Sequence, residues 1–155
     1  VGKIMVRKSI TAFFLFSFIV IGFVDALLHG EVSYSSIMGR DINRVYFYTF
    51  CLLIVGCWLL YNKFFVGIGF ITVATFNGYF VEYIFLHNYF ASVMIYAMLV
   101  VDILHRRKAK WLIPFFIIGI IQAIAFQSTW LSQYIVGGME FLSLCIGSVF
   151  VIKII

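Results

Sequence analysis

The chain has 155 residues, 65% of them hydrophobic and 11% charged, with a formal net charge of +5. Soluble domains carry roughly a quarter charged residues, so the composition excludes a soluble globular enzyme or binding module. It implies an integral membrane protein with its apolar surface turned to lipid. The basic balance reads as a topology signal, with no nucleic-acid partner implied.

The predicted fold class is all-α: a polytopic integral membrane protein forming a single bundle of six transmembrane helices in one domain, residues 1–155. The helices are expected over residues 9–28, 45–61, 64–86, 89–105, 111–126 and 134–152. A spanning helix needs roughly twenty mostly apolar residues at about 1.5 Å per residue. If the N-terminus is cytoplasmic, Lys3, Arg7, Lys8, Lys63, Arg106, Arg107, Lys108, Lys110 and Lys153 lie inside, and Arg40 and Arg44 lie outside. That sorting favours cytoplasmic N- and C-termini and an even number of spans, with residence in a bacterial inner membrane as the expectation.

The first apolar run has a basic start like that of a signal peptide but no small-x-small cleavage site before Asp25, so it is read as a mature helix. Asp25 and His29 share one of its faces at i and i+4, and Gly30 is a natural stop. The polar loop EVSYSSIMGRDINR, Glu31 to Arg44, contains no proline and is expected to fold as a lid or a short surface helix. The second helix carries Tyr46, Tyr48, Trp58 and Tyr61 near its ends, as interfacial aromatics do, and Asn62-Lys63 forms an inner turn.

The third stretch, FFVGIGFITVATFNGYFVEYIF, organises the rest, because it is long enough to span and yet holds Glu82. A carboxylate in hydrocarbon costs a few kcal/mol and is expected to face protein or water. On a continuous helix Thr72, Thr75, Tyr79 and Glu82 line one polar stripe. His87-Asn88 closes the hairpin, and the fourth helix ends in the basic run Arg106 to Lys110, which stops it in the cytoplasm and fits contact with anionic head groups. Pro114 sits in the first turn of the fifth helix, where its missing N–H costs little. Residues 127–133 form a short outer connection, and the sixth helix aligns Gly137, Glu140, Ser143 and Gly147 on one face.

Asp25, Glu82 and Glu140 fall at a similar depth below the outer surface, with Gln122 at the same level, Tyr79 on the stripe, and His29 and His87 at the rim. This pattern points to an outward-facing acidic and histidine pocket between helices 1, 3 and 6, binding a cation or a small polar solute in a transport or ligand-binding protein. The competing structural account pairs Asp25 and Glu82 with Arg40 and Arg44. A second functional account lets Asp25, His29 and His87 hold a divalent metal, zinc, manganese or iron, with Glu82 or Glu140 activating water. That would make an intramembrane hydrolase acting on a lipid-like substrate; haem ligation by the two histidines is a lesser variant. A third makes the chain a non-catalytic subunit of a membrane complex or a homo-oligomer. At the opposite end Asp102 and His105 are either a local ion pair with Arg106 or the cytoplasmic exit of a proton relay. Cys51, Cys57 and Cys145 lie in apolar runs without metal spacing and read as free thiols. There is no GxSxG, HExxH, P-loop or dinucleotide fingerprint, so no catalytic residue is assigned.

Overall fold

A computed structural model describes residues 1–77, 79–125 and 131–155. The described chain is all-helical: α1 Gly2–His29, α2 Tyr34–Met38, α3 Ile42–Tyr61, α4 Val66–Thr75, α5 Ser92–His105, α6 Leu112–Ala125 and α7 Leu131–Ile154. A wide turn over Leu86–Ala91 leads directly into α5. Four stretches are long and apolar enough to cross a membrane, Gly2–His29, Ile42–Tyr61, Leu86–His105 and Gln133–Ile154. Val66–Thr75 and Ala109–Ala125 are shorter apolar helices. Large apolar side chains such as Phe13, Phe50, Phe116 and Ile124 stand exposed, as expected where lipid is the solvent.

The helices form two compact units, Val1–Ile37 with Ala109–Ile155, and Met38–Lys108. In the first unit α7 packs against α1 and α6. The outer loop folds down onto it. Tyr34 lies against Gly22, where even a Cβ would come within 2.0 Å of its ring, stacks on Phe18 at 4.6 Å and donates its hydroxyl to the Phe18 carbonyl at 3.0 Å. Ser33 caps α2, its Oγ accepting from the Ser36 N–H, and Ile37 and Met38 are buried. The expected surface helix exists, and its apolar side is inside.

In the second unit α4 lies between α3 and α5. The approach to α3 is backbone on backbone, since a Cβ on Gly67 would stand 2.4 Å from the Gly56 carbonyl oxygen, and a Cβ on Gly69 would stand 2.6 Å from the Ile95 Cα. Glycine on both sides lets one thin helix fit where a side chain would force its neighbours apart.

The largest departure from the sequence reading is here. The helix expected over 64–86 ends at Thr75, and Phe76 leaves helical geometry with φ −104° and ψ 69°. The physical reason is Asn77, whose Oδ1 accepts the Tyr79 N–H at 2.9 Å and offers the backbone a turn in place of the next helical bond. The polar stripe is therefore split: Thr72 and Thr75 back-bond to Ile68 and Ile71 at 2.8 and 2.9 Å, whereas Tyr79 and Glu82 belong to the turns that follow. Three helices are longer than expected, α1 beginning at Gly2, α3 at Ile42 and α7 at Leu131. Most of the outer connection expected over 127–133 lies outside the described residues, as does the expected end of the fifth helix at Phe126.

Candidate functional site

Ten residues of α4 rise about 15 Å, half of a hydrocarbon layer of about 30 Å. A helix that stops there exposes backbone groups at both ends that must be met by protein. At the N-terminal end Asp102, itself 1% exposed, meets them. Its two carboxylate oxygens accept the Phe65 and Val66 N–H groups, each at 2.8 Å. Arg106 does not pair with it directly; its guanidinium lies 4.1 Å over the Phe64 ring and donates to the Lys63 carbonyl at 3.1 Å. Asp102 is thus the cap of a half-length helix, and His105 stands exposed beside the Phe65 ring.

The C-terminal end is met less completely. The Phe76 carbonyl accepts from His87 Nδ1 at 2.9 Å. A carbonyl only accepts, so Nδ1 carries a proton, and in the neutral ring Nε2 would keep its lone pair. The His87 carbonyl in turn accepts from Ser92, both from its N–H and from its hydroxyl at 2.9 Å, which holds the wide turn open. Asn77 spends its Oδ1 on the chain reversal, but its Nδ2, in a side chain 2% exposed, has no hydrogen-bond partner among the described residues. A buried amide donor left unmet costs about 1–3 kcal/mol. In the same segment Phe76 meets Tyr83 and Phe90 edge to face at 5.9 and 6.0 Å, and Phe80 meets Tyr79 at 5.3 Å and Tyr83 at 6.0 Å. The end of α4 therefore combines an apolar aromatic wall, an unmet donor and a histidine acceptor. With the ring neutral, none of these groups carries a formal charge. Such a set can hold a small neutral group that both accepts and donates a hydrogen bond.

The residues singled out from sequence are distributed as follows. Asp25 lies 3.0 Å from His29 Nδ1, which also meets the Asp25 carbonyl at 3.0 Å. Glu140 receives the Ser35 N–H and hydroxyl on one oxygen, each at 3.2 Å, and Gly137 makes room for the same loop at Val32. Gln122 is half-buried on α6. These belong to the first unit, while Tyr79, Glu82 and His87 belong to the second; Tyr79 and Glu82 are exposed and His87 is buried. Arg44, expected over the acids, pairs with Asp41. Among the described residues no group of three His, Cys, Asp or Glu side chains could hold a metal ion. In the set Asp25, His29 and His87 each ring nitrogen described above is instead turned to a main-chain carbonyl or its own helix neighbour.

Asn77, expected inside a spanning helix, stands just past the end of α4. The dipeptide Asn77-Gly78 is a strong turn signal and marks the break. Fold and site together describe an all-helical chain of membrane-protein character with an interrupted helix. Comparison with protein-family models, curated proteins and solved structures returns no match in any of the three.

Proposed function

We propose that the chain is a small membrane transport or ligand-binding protein, and that its solute site is the end of α4 rather than the acidic residues taken together. The observation that carries this reading is the buried Asn77 Nδ2 without a partner among the described residues, one residue from the carbonyl that orients His87. Interrupted helices place irregular backbone and polar groups at membrane depth where solutes are bound. The neutral donor and acceptor favour an uncharged polar solute over a bare cation, which would want carboxylates or several carbonyls. In this reading α4 with the turns after it, and the helix Ala109–Ala125, complete six crossings. The basic residues put both ends in the cytoplasm, and a bacterial inner membrane is the corresponding home.

Proteoliposomes tested by stopped-flow light scattering with glycerol and urea decide the matter. The wild-type chain should pass at least one of the two faster than empty vesicles. Asn77→Leu, which keeps the branched shape and removes the donor together with the Oδ1 that receives the Tyr79 N–H, should return the rate to the empty-vesicle level while the protein remains folded by circular dichroism. Wild-type vesicles no more permeable than empty ones to either solute, or flux unchanged in Asn77→Leu, overturns the proposal.

A further inference from the structure

Three helices end in the same backbone motif, in which the residue after the cap turns left-handed and two N–H groups reach back into the last turn. At the end of α1 the left-handed residue is Gly30, φ 67°, with Glu31 N–H donating to Ala26. At the end of α3 it is Lys63, φ 64°, with Phe64 N–H donating to Leu59 at 2.9 Å. At the end of α5 it is Arg107, φ 55°, with Lys108 N–H donating to Ile103 at 3.0 Å. Glycine adopts this conformation freely and a long side chain does not. Lys63 and Arg107 are the only described non-glycine residues with positive φ.

The two strained turns are joined. Arg106 donates to the Lys63 carbonyl at 3.1 Å and is held over Phe64, so Lys63, Arg106, Arg107 and Lys108 gather at one end of the second unit. Lys63, Arg107 and Lys108 are exposed, and their side chains have no hydrogen bond or ion pair among the described residues. Arg106 Nε is buried without a hydrogen-bond partner among the described residues. The neighbouring carboxylate, Asp102, has both oxygens engaged by α4. Topology alone asks for basic residues near a helix end, and a helix C-terminus favours any nearby cation. Neither asks for two of them in left-handed turns tied to each other. Residues kept in unfavourable backbone conformations point toward a site.

We propose that the joined turns Lys63-Phe64 and Arg106 to Lys108 bind the phosphate of an anionic phospholipid head group. The ends of α3 and α5, both candidate membrane-spanning stretches, put these cations at the level where lipid phosphates lie, and each cation near an anionic surface strengthens binding about fivefold, the equivalent of about 1 kcal/mol. This site is independent of the solute site proposed above.

The full chain is placed in nanodiscs of phosphatidylcholine with increasing phosphatidylglycerol, and its thermal unfolding is followed. The wild type should gain melting temperature as phosphatidylglycerol rises. The double variant Lys63→Gly, Arg107→Gly relaxes both turns, so it should melt no lower than the wild type in pure phosphatidylcholine and need roughly twenty-five-fold more phosphatidylglycerol for the same gain, two steps of about fivefold. Lys3→Gln with Lys153→Gln removes the same charge elsewhere and should leave the response unchanged. An equal response in the glycine double variant overturns the proposal, as does an equal loss in the remote pair, which would make the effect diffuse attraction. No response in the wild type also overturns it. Soluble glycerol phosphate stabilising the chain as well in pure phosphatidylcholine would overturn the assignment to a lipid.

Discussion

In the first unit Glu140 sits within an unbroken 24-residue helix and takes its hydrogen bonds from a loop that folds down to reach it. In the second, α4 stops after 10 residues, with Asp102 at one end and Asn77 at the other. A continuous helix satisfies its own backbone, so its polar side chain needs only one outside partner. A broken helix creates two sets of unmet backbone groups, and a cap at one end leaves the other to be solved separately. The carboxylate at Phe65 and Val66 solves the first. The second is solved for the carbonyl by His87 and left open for the Asn77 amide. Where polar demand is met the structure is a scaffold; the donor left unmet among the described residues is where the solute site is proposed.

Substitutions test this contrast in order of effect. Asp102→Ala should be the most damaging, because two buried N–H groups lose charge-assisted bonds worth about 1.5–3 kcal/mol each. Its melting temperature in detergent should fall furthest of all the variants here, and a smaller fall than that of Glu140→Ala would reverse the contrast. Glu140→Ala should cost about 1–3 kcal/mol, since the loop keeps its Tyr34 contacts when Ser35 loses its acceptor. A cycle with Ser35→Ala should show the two changes to be less than additive. Asn77→Leu should cost less than Glu140→Ala, at most about 1 kcal/mol, because losing the Oδ1 that receives the Tyr79 N–H is offset by removing the unmet donor, even as flux is lost. A variant that both melts early and loses flux would mean that Asn77 is structural.

The smallest expected effect is a pH dependence at Asp41, outside the candidate spans. The Arg44 N–H and then the Arg44 guanidinium hold its carboxyl below the ordinary 3.8. A depressed carboxyl contributes stability that is present above the ordinary value and is lost as pH falls through the lowered one. Acid melting curves of the wild type and Asp41→Asn should therefore differ slightly above pH 4 and converge at the lowest pH at which the chain stays folded. Curves that diverge on acidification would reverse the sign.

Membrane class and helical content were legible in composition, because apolar content acts over the whole chain. The short helix in the Glu31 to Arg44 loop followed from the absence of proline and low-complexity sequence. The break in α4 was hidden because hydropathy averages over twenty residues and a single side-chain oxygen decides the turn; Phe, Ile and Val on both sides of Asn77 keep the average high. Asp102 was assigned to its neighbour at i+4 since sequence spacing shows contacts along one helix. Its partners, Phe65 and Val66, lie 37 and 36 residues away. The basic run after α5 was visible as charge, but its tie to Lys63 needed backbone geometry.

The inward-facing side of α2 has a practical corollary. The longest hydrophilic connection in the chain would ordinarily be the first place to insert a tag or to expect protease nicking. With Tyr34, Ile37 and Met38 wedged among helices, that segment should resist limited digestion in the folded protein, and an epitope inserted there should be rejected.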